Sequence, residues 1–139
     1  MAGYSGTPLV TKLGIREQHL VLVDRQPSEV DLGDLGGARV VRRLTATHDV
    51  ALTFHHRRAP LAARLPVLFE RTSSAGMVWV CWPKRSARAA VLEASGIVVD
   101  LDDAQVRSLG LDLGFVDVKV AAIDDTWSGL KFVRRLADR

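Results

Sequence analysis

A single cysteine, Cys81, stands among 139 residues, so no internal disulfide can brace the chain and the fold has to rest on an apolar core. Cys81 sits inside the run MVWVCW, Met77 to Trp82, with no histidine beside it, which predicts a buried structural thiol rather than a nucleophile. Aromatic residues make up only 6%, too few for a base-stacking platform. No apolar run approaches the roughly 20 residues of a membrane span. The opening MAGYSGTPLV lacks the basic region and apolar block of a signal peptide, so a cytoplasmic location is expected. Repeats, low-complexity tracts and linkers are lacking too, which predicts one domain over residues 1–139.

What the chain does have is 47% hydrophobic residues, enough for a real core, and a small net charge of +3 that is unevenly spread. Residues 37–88 carry ten Lys or Arg against Asp49 and Glu70, a net of +8. Residues 89–125 carry eight acids against Arg107 and Lys119, a net of −6. Such a dipole suits an anionic small molecule, an acidic protein partner, or a homo-oligomer held through opposite patches.

The pattern along the chain alternates short strands with helices. Thr7 as cap, Pro8 at the first helical position and Gly14 as terminator frame a short helix. A strand is expected over His19 to Val23, a helical turn around Ser28 to Leu35, and two further strands over Ala38 to Leu44 and Asp49 to His55. Leu61, Leu65, Leu68 and Phe69 recur at helical spacing over Pro60 to Thr72, with Pro66 expected to kink that helix, and Ser73 to Gly76 reads as a loop. Met77 to Trp82 is the best candidate for a central strand covered on both faces. Ala87 to Ala94 has helical composition broken by Gly96, and Asp102 with Gln105 forms a capping-box pattern for a helix ending at Gly110.

The tail is the most distinctive stretch. Val116, Val118, Val120 and Ala122 alternate with more polar positions, predicting a strand with the valines on the core, and Leu130 to Leu136 reads as its returning partner. Between them Asp124, Asp125, Thr126, Trp127, Ser128 and Gly129 favour a turn braced by side-chain bonds to backbone amides. Trp127 is either a plug over the sheet or an anchor facing a partner, together with the two aspartates. The expected fold class is α/β: a small Rossmann-like sheet, parallel in the middle, with a C-terminal antiparallel ribbon.

In such a sheet the carboxyl ends of the strands form the ligand edge. That edge gathers Asp24, then His55, His56, Arg57 and Arg58, then Lys84 and Arg85, a group suited to a phosphate or carboxylate. Adjacent residues on a strand point to opposite faces, so His55 and His56 do not chelate one ion and no metal is expected. Nucleic acid is disfavoured, because the basic residues come without a recognised module.

The segments GYSGTPLVTKLGI (Gly3 to Ile15), VWVCWPK (Val78 to Lys84) and DVKVAAIDDTWSGLKFVRR (Asp117 to Arg135) resemble a family of small, uncharacterised actinobacterial proteins, domain of unknown function 3052. The order of elements is similar to a truncated class I methyltransferase, a Rossmann-like domain whose sheet ends in a comparable antiparallel pair. Those enzymes place a glycine-rich turn after the first strand, whereas here Asp24, Arg25, Gln26, Pro27 and Ser28 follow, so no cofactor is expected. The leading expectation is a non-catalytic binding or regulatory module for an anionic small molecule or protein partner, leaning away from an enzyme. A methyltransferase-like enzyme with its site at the strand ends is the alternative, and a nucleic-acid-associated protein the third reading.

Overall fold

A computed structural model describes residues 7–139; Gly3 to Gly6 of the first resemblance segment lie outside the described residues. Six strands form one sheet in the order β2-β1-β3-β4-β6-β5. They are β1 (Leu20–Asp24), β2 (Arg39–Val41), β3 (His48–Phe54), β4 (Thr72–Pro83), β5 (Phe115–Ala122) and β6 (Trp127–Arg134). β1 to β4 run parallel, and β6 enters antiparallel between β4 and β5, so the expected α/β fold with a closing ribbon is what forms.

The alternation of apolar side chains along these strands divides the core into two layers. On one face Val21, Val23, Val50, Leu52, Trp79, Cys81 and Trp127 pack with Leu13 of helix α1 (Leu9–Leu13). The Trp79 indole donates to the Leu13 carbonyl at 2.9 Å and pins that helix to the sheet. Gly14 ends α1 in the left-handed conformation, as expected, while Pro8 rather than Thr7 occupies the cap position. On the other face Leu22, Ala51, Val78, Val80 and Phe132 meet Leu61, Leu65 and Leu68 of α2 (Arg58–Glu70) and Val106 of α4 (Asp103–Asp112). Cys81 is fully buried, and burial pushes its thiol pKa up, consistent with the structural thiol expected of it.

Several local expectations are corrected. Residues 28–35 form no helix: the Asp31 and Asp34 carboxylates accept from the amides of Gly33 and Gly36, and these local bonds replace helical ones. Ser73 to Gly76 belongs to β4, bulged away from β3, whose Asp49 accepts from the Ser73 hydroxyl at 2.9 Å. The capping box of Asp102 and Gln105 is present with both bonds, but α4 passes through Gly110. On β5 an irregularity between Asp117 and Lys119 shifts the alternation. Phe115, Ala121 and Ile123 are therefore buried, while Val118 and Val120 are 52% and 53% exposed instead of facing the core.

Candidate functional site

The chain leaves β1 for β2 on one side and β3 lies on the other, so the carboxyl ends of β1 and β3 flank the point where strand order reverses. Asp24 ends β1 and pairs in register with Thr53 of β3, which places both on the face covered by α2. The buried Asp24 carboxylate receives Arg64 of α2 through Nη2 at 2.7 Å and Nε at 3.2 Å, and the Thr53 hydroxyl at 2.7 Å. Burial alone would raise its pKa; the bonds from Arg64 and Thr53 outweigh that and hold it below the usual carboxylate value. Because Thr53 donates its hydroxyl proton to Asp24, its oxygen accepts from His55 Nε2, 2.7 Å away. This assigns the proton to Nε2 and leaves Nδ1 as a buried acceptor without a partner among the described residues. Burial first, and Arg25 second, lower the His55 pKa to about 4, so the ring is neutral at physiological pH.

His56 turns to the opposite face, as adjacent strand-end residues should. Its ring meets Trp127 edge to face with centroids 5.0 Å apart, and Trp127 meets Phe54 in the same manner at 5.4 Å. Trp127 is completely buried, so of its two expected roles it takes the plug and not the partner-facing anchor. Its indole nitrogen has no hydrogen-bond partner among the described residues. Asp124 accepts from the Thr126 and Trp127 amides at 2.9 and 2.7 Å, which makes it the brace of the turn, and Asp125 is exposed beside it.

The basic residues expected at this edge do not converge on one point. Arg57 pairs through Nε with Asp100 at 3.0 Å, and the same carboxylate accepts the Arg58 amide at 2.6 Å. Arg85 reaches Asp102 at 3.7 Å, while the Lys84 backbone amide donates to the Thr126 carbonyl at 2.8 Å. The acids that answer Arg57 and Arg85 come from the connection between helix α3 (Arg88–Ser95) and α4. Among the described residues no three His, Cys, Asp or Glu side chains gather as a metal site.

A cleft of about 460 Å³ opens at the same edge, lined by Pro27 and Glu29 after β1, His56 after β3, Thr126, and Ala90, Val91, Ala94 and Ile97 in and after α3. Asp24 and His55 lie on the other side of the sheet from Trp127, so the structure joins Asp24 to His55, and His56 to Trp127, but not all four. Sequence reading missed Arg64, Glu29 and the α3 wall. Arg64 lies 40 residues from Asp24, and only the packing of α2 on β1 brings them together.

No family model and no curated protein matches the chain by sequence, so the resemblance to domain of unknown function 3052 has no support there. Solved structures do match. Magnesium protoporphyrin IX methyltransferase from Synechocystis PCC 6803, with bound S-adenosylmethionine, aligns at TM-score 0.58 and 10% identity over 91% of this chain and 74% of that one. NcsB1, an O-methyltransferase of neocarzinostatin biosynthesis, aligns at 0.53 and 19% identity over 70% of this chain and 34% of its own. A putative methyltransferase in complex with the Trm112 activator of Haloferax volcanii aligns at 0.60 and 10% over 90% and 86%. The chain spans 53% of the Synechocystis enzyme in its structure with bound SAH. These matches run against the expectation of a non-catalytic module leaning away from an enzyme, because several proteins that share this fold are methyltransferases. The chain has a Rossmann-like fold similar to that of these methyltransferases.

Proposed function

We propose that the chain is a methyltransferase-type enzyme whose ligand site is the cleft at the carboxyl edge. The observation that carries this reading is the position of the cleft at the switch point between β1 and β3, where open α/β sheets take their ligands. Helix α3 supports it: none of its eight residues is buried, although Ala90, Val91 and Ala94 line the cleft, so a ligand seated there completes the packing of the helix.

The fold implies S-adenosylmethionine, and the turn after β1 does not fit it as a glycine turn does. Arg25 stands in the left-handed position with φ 61°, and Asp24 is committed to Arg64 and Thr53. The cleft lining does fit an adenosyl group, with flat apolar walls for a ring and one carboxylate for hydroxyls. Pro27 and the α3 alanines would clasp the ring and exclude water, and Glu29 would accept hydrogen bonds from hydroxyl or amine groups. Bound there, the cofactor supplies a methyl group carried on a sulfonium. His56, whose pKa burial lowers, offers the cleft an imidazole able to take a proton.

Isothermal titration with S-adenosylhomocysteine tests this. Wild-type protein is expected to bind it, and Ala94→Trp, which fills the cleft from an exposed helix position, to bind at least about tenfold more weakly with the fold intact. Unchanged affinity in the variant contradicts the placement, and no binding to the wild type contradicts the reading.

A further inference from the structure

The face of the β5–β6 ribbon that meets α1 carries lysines without acids. Lys119 of β5 and Lys131 of β6 are partners across the antiparallel ladder, so their side chains leave the sheet side by side on one face. Lys131 also stands opposite the buried Trp79 of β4, whose indole holds α1, and this fixes the face as the α1 side. Its Nζ lies 3.8 Å from where a Cβ on Gly14 would stand, at the end of α1. Two residues before Gly14, Lys12 crosses to the ribbon and donates through Nζ to the Ala122 carbonyl of β5 at 3.1 Å. Neither α1 nor β6 contains an acid, and Asp117 of β5 turns to the other face, where Arg107 of α4 holds it at 2.9 Å. Asp124, two residues past Ala122, is committed to the amides of the turn. None of the three lysines joins an ion pair among the described residues. Like charges directly opposite each other destabilise a ladder, and Lys131 and Lys12 are half-buried, which adds desolvation to that cost. Burial, and after it Lys119, push the Lys131 ammonium below its ordinary pKa. An uncharged side chain at position 131 would fill the same space beside Gly14 without that cost.

We propose that Lys12, Lys119 and Lys131 form an anion site on the α1 face of the ribbon, whose ligand is a compact small molecule carrying a diphosphate group. Ammonium groups act as point charges with several donors each, so three of them surround phosphate oxygens without the planar geometry an arginine imposes. A diphosphate brings enough negative charge to answer all three. The rest of the chain favours a compact ligand over a long one. Residues 89–125, which include β5, carry eight acids against Arg107 and Lys119, so an extended polyanion running past the patch meets like charge. The site shares no residue with the carboxyl-edge cleft and does not depend on methyl transfer.

The probe is inorganic pyrophosphate, titrated into labelled protein at constant low ionic strength and followed by nuclear magnetic resonance, with sulfate as the reference anion. Amide shifts are expected at Lys12 to Gly14, Lys119 to Ala121 and Lys131, with pyrophosphate bound at least about tenfold tighter than sulfate. Lys131→Met, which keeps an unbranched apolar stem beside Gly14, is expected to weaken pyrophosphate at least about tenfold. Arg39→Gln removes the same charge from the exposed far edge of the sheet and is expected to leave the affinity within about twofold. Without ligand, Lys119→Gln is expected to melt at or above the wild-type temperature, because it takes a like charge out of the ladder. A lower melting temperature would show that Lys119 is kept for the fold and overturns the site. Absence of binding, equal affinity for sulfate, shifts centred elsewhere, or an equal loss in Arg39→Gln overturns it as well. A single-stranded oligonucleotide that displaces pyrophosphate at equal phosphate concentration would assign the patch to nucleic acid and overturn the compact ligand.

Discussion

At the scale of single residues, the carboxyl edge is a set of polar groups whose partners decide their charge. Asp24, Thr53 and His55 share one hydrogen-bonded line, and burial makes the neutral imidazole the stable form. The pH consequence has a definite sign. With a folded pKa of about 4 against an ordinary 6.5, His55 binds its proton in the unfolded chain over that window and not in the folded one. Stability is therefore full above about pH 6.5 and declines as pH falls toward 4, by about 3 kcal/mol for His55 alone. Asp24 works in the same sense and lower down: its contribution is present above its ordinary 3.8 and is lost as pH falls through its still lower folded value. Urea denaturation between pH 7 and 4.5 should show the decline, and His55→Gln, which keeps a donor for Thr53 and does not titrate, should flatten most of it. An unchanged slope in that variant contradicts the assignment. His55 and Asp24 were legible in the sequence as strand-end residues, but their partner Arg64 was not, since nothing in a helical spacing says which strand end the helix will cross.

At the scale of elements, close contact explains where the sequence pattern misleads. Gly110 reads as a helix terminator, yet α4 continues to Asp112 because the glycine is needed for packing: a Cβ there would stand 2.1 Å from the Phe132 ring. Phe132 is completely buried on the central side of the ribbon and has little room to move. Gly110→Ala is expected to destabilise the protein by about 1–3 kcal/mol despite the better helix propensity of alanine, measured by chemical denaturation. A stabilised variant would show that the helix can shift away from β6. A break in strand register lies behind the valines of β5. The irregularity after Asp117 sets Lys119 opposite Lys131 and turns Val118 and Val120 outward, something a period-two reading cannot detect because it assumes an unbroken ladder. The capping box of α4 and the left-handed Gly96 after α3 were readable because both are local, closed within four residues of chain.

At the scale of the whole molecule, the sheet order joins these parts into a site. Alternating strands and helices foretold a parallel middle and an antiparallel ribbon, but which strand neighbours which depends on crossovers that sequence spacing does not encode. The candidate site was half legible for that reason. Strand-end positions located the edge, while the cleft depends on α3 folding back over it and on Asp100 and Asp102 drawing Arg57 and Arg85 away. Those two pairs also join the basic and acidic halves of the chain, so part of the charge dipole seen in the sequence is met within the fold.

The central claim is that ligand binds in the carboxyl-edge cleft, and nuclear magnetic resonance titration of labelled protein with S-adenosylhomocysteine tests it most directly. The account predicts amide shifts concentrated at Glu29, His56, Ala94, Ile97 and Thr126, the residues of the cleft. Shifts absent there, or centred on the Gly33 to Gly37 loop instead, would contradict it.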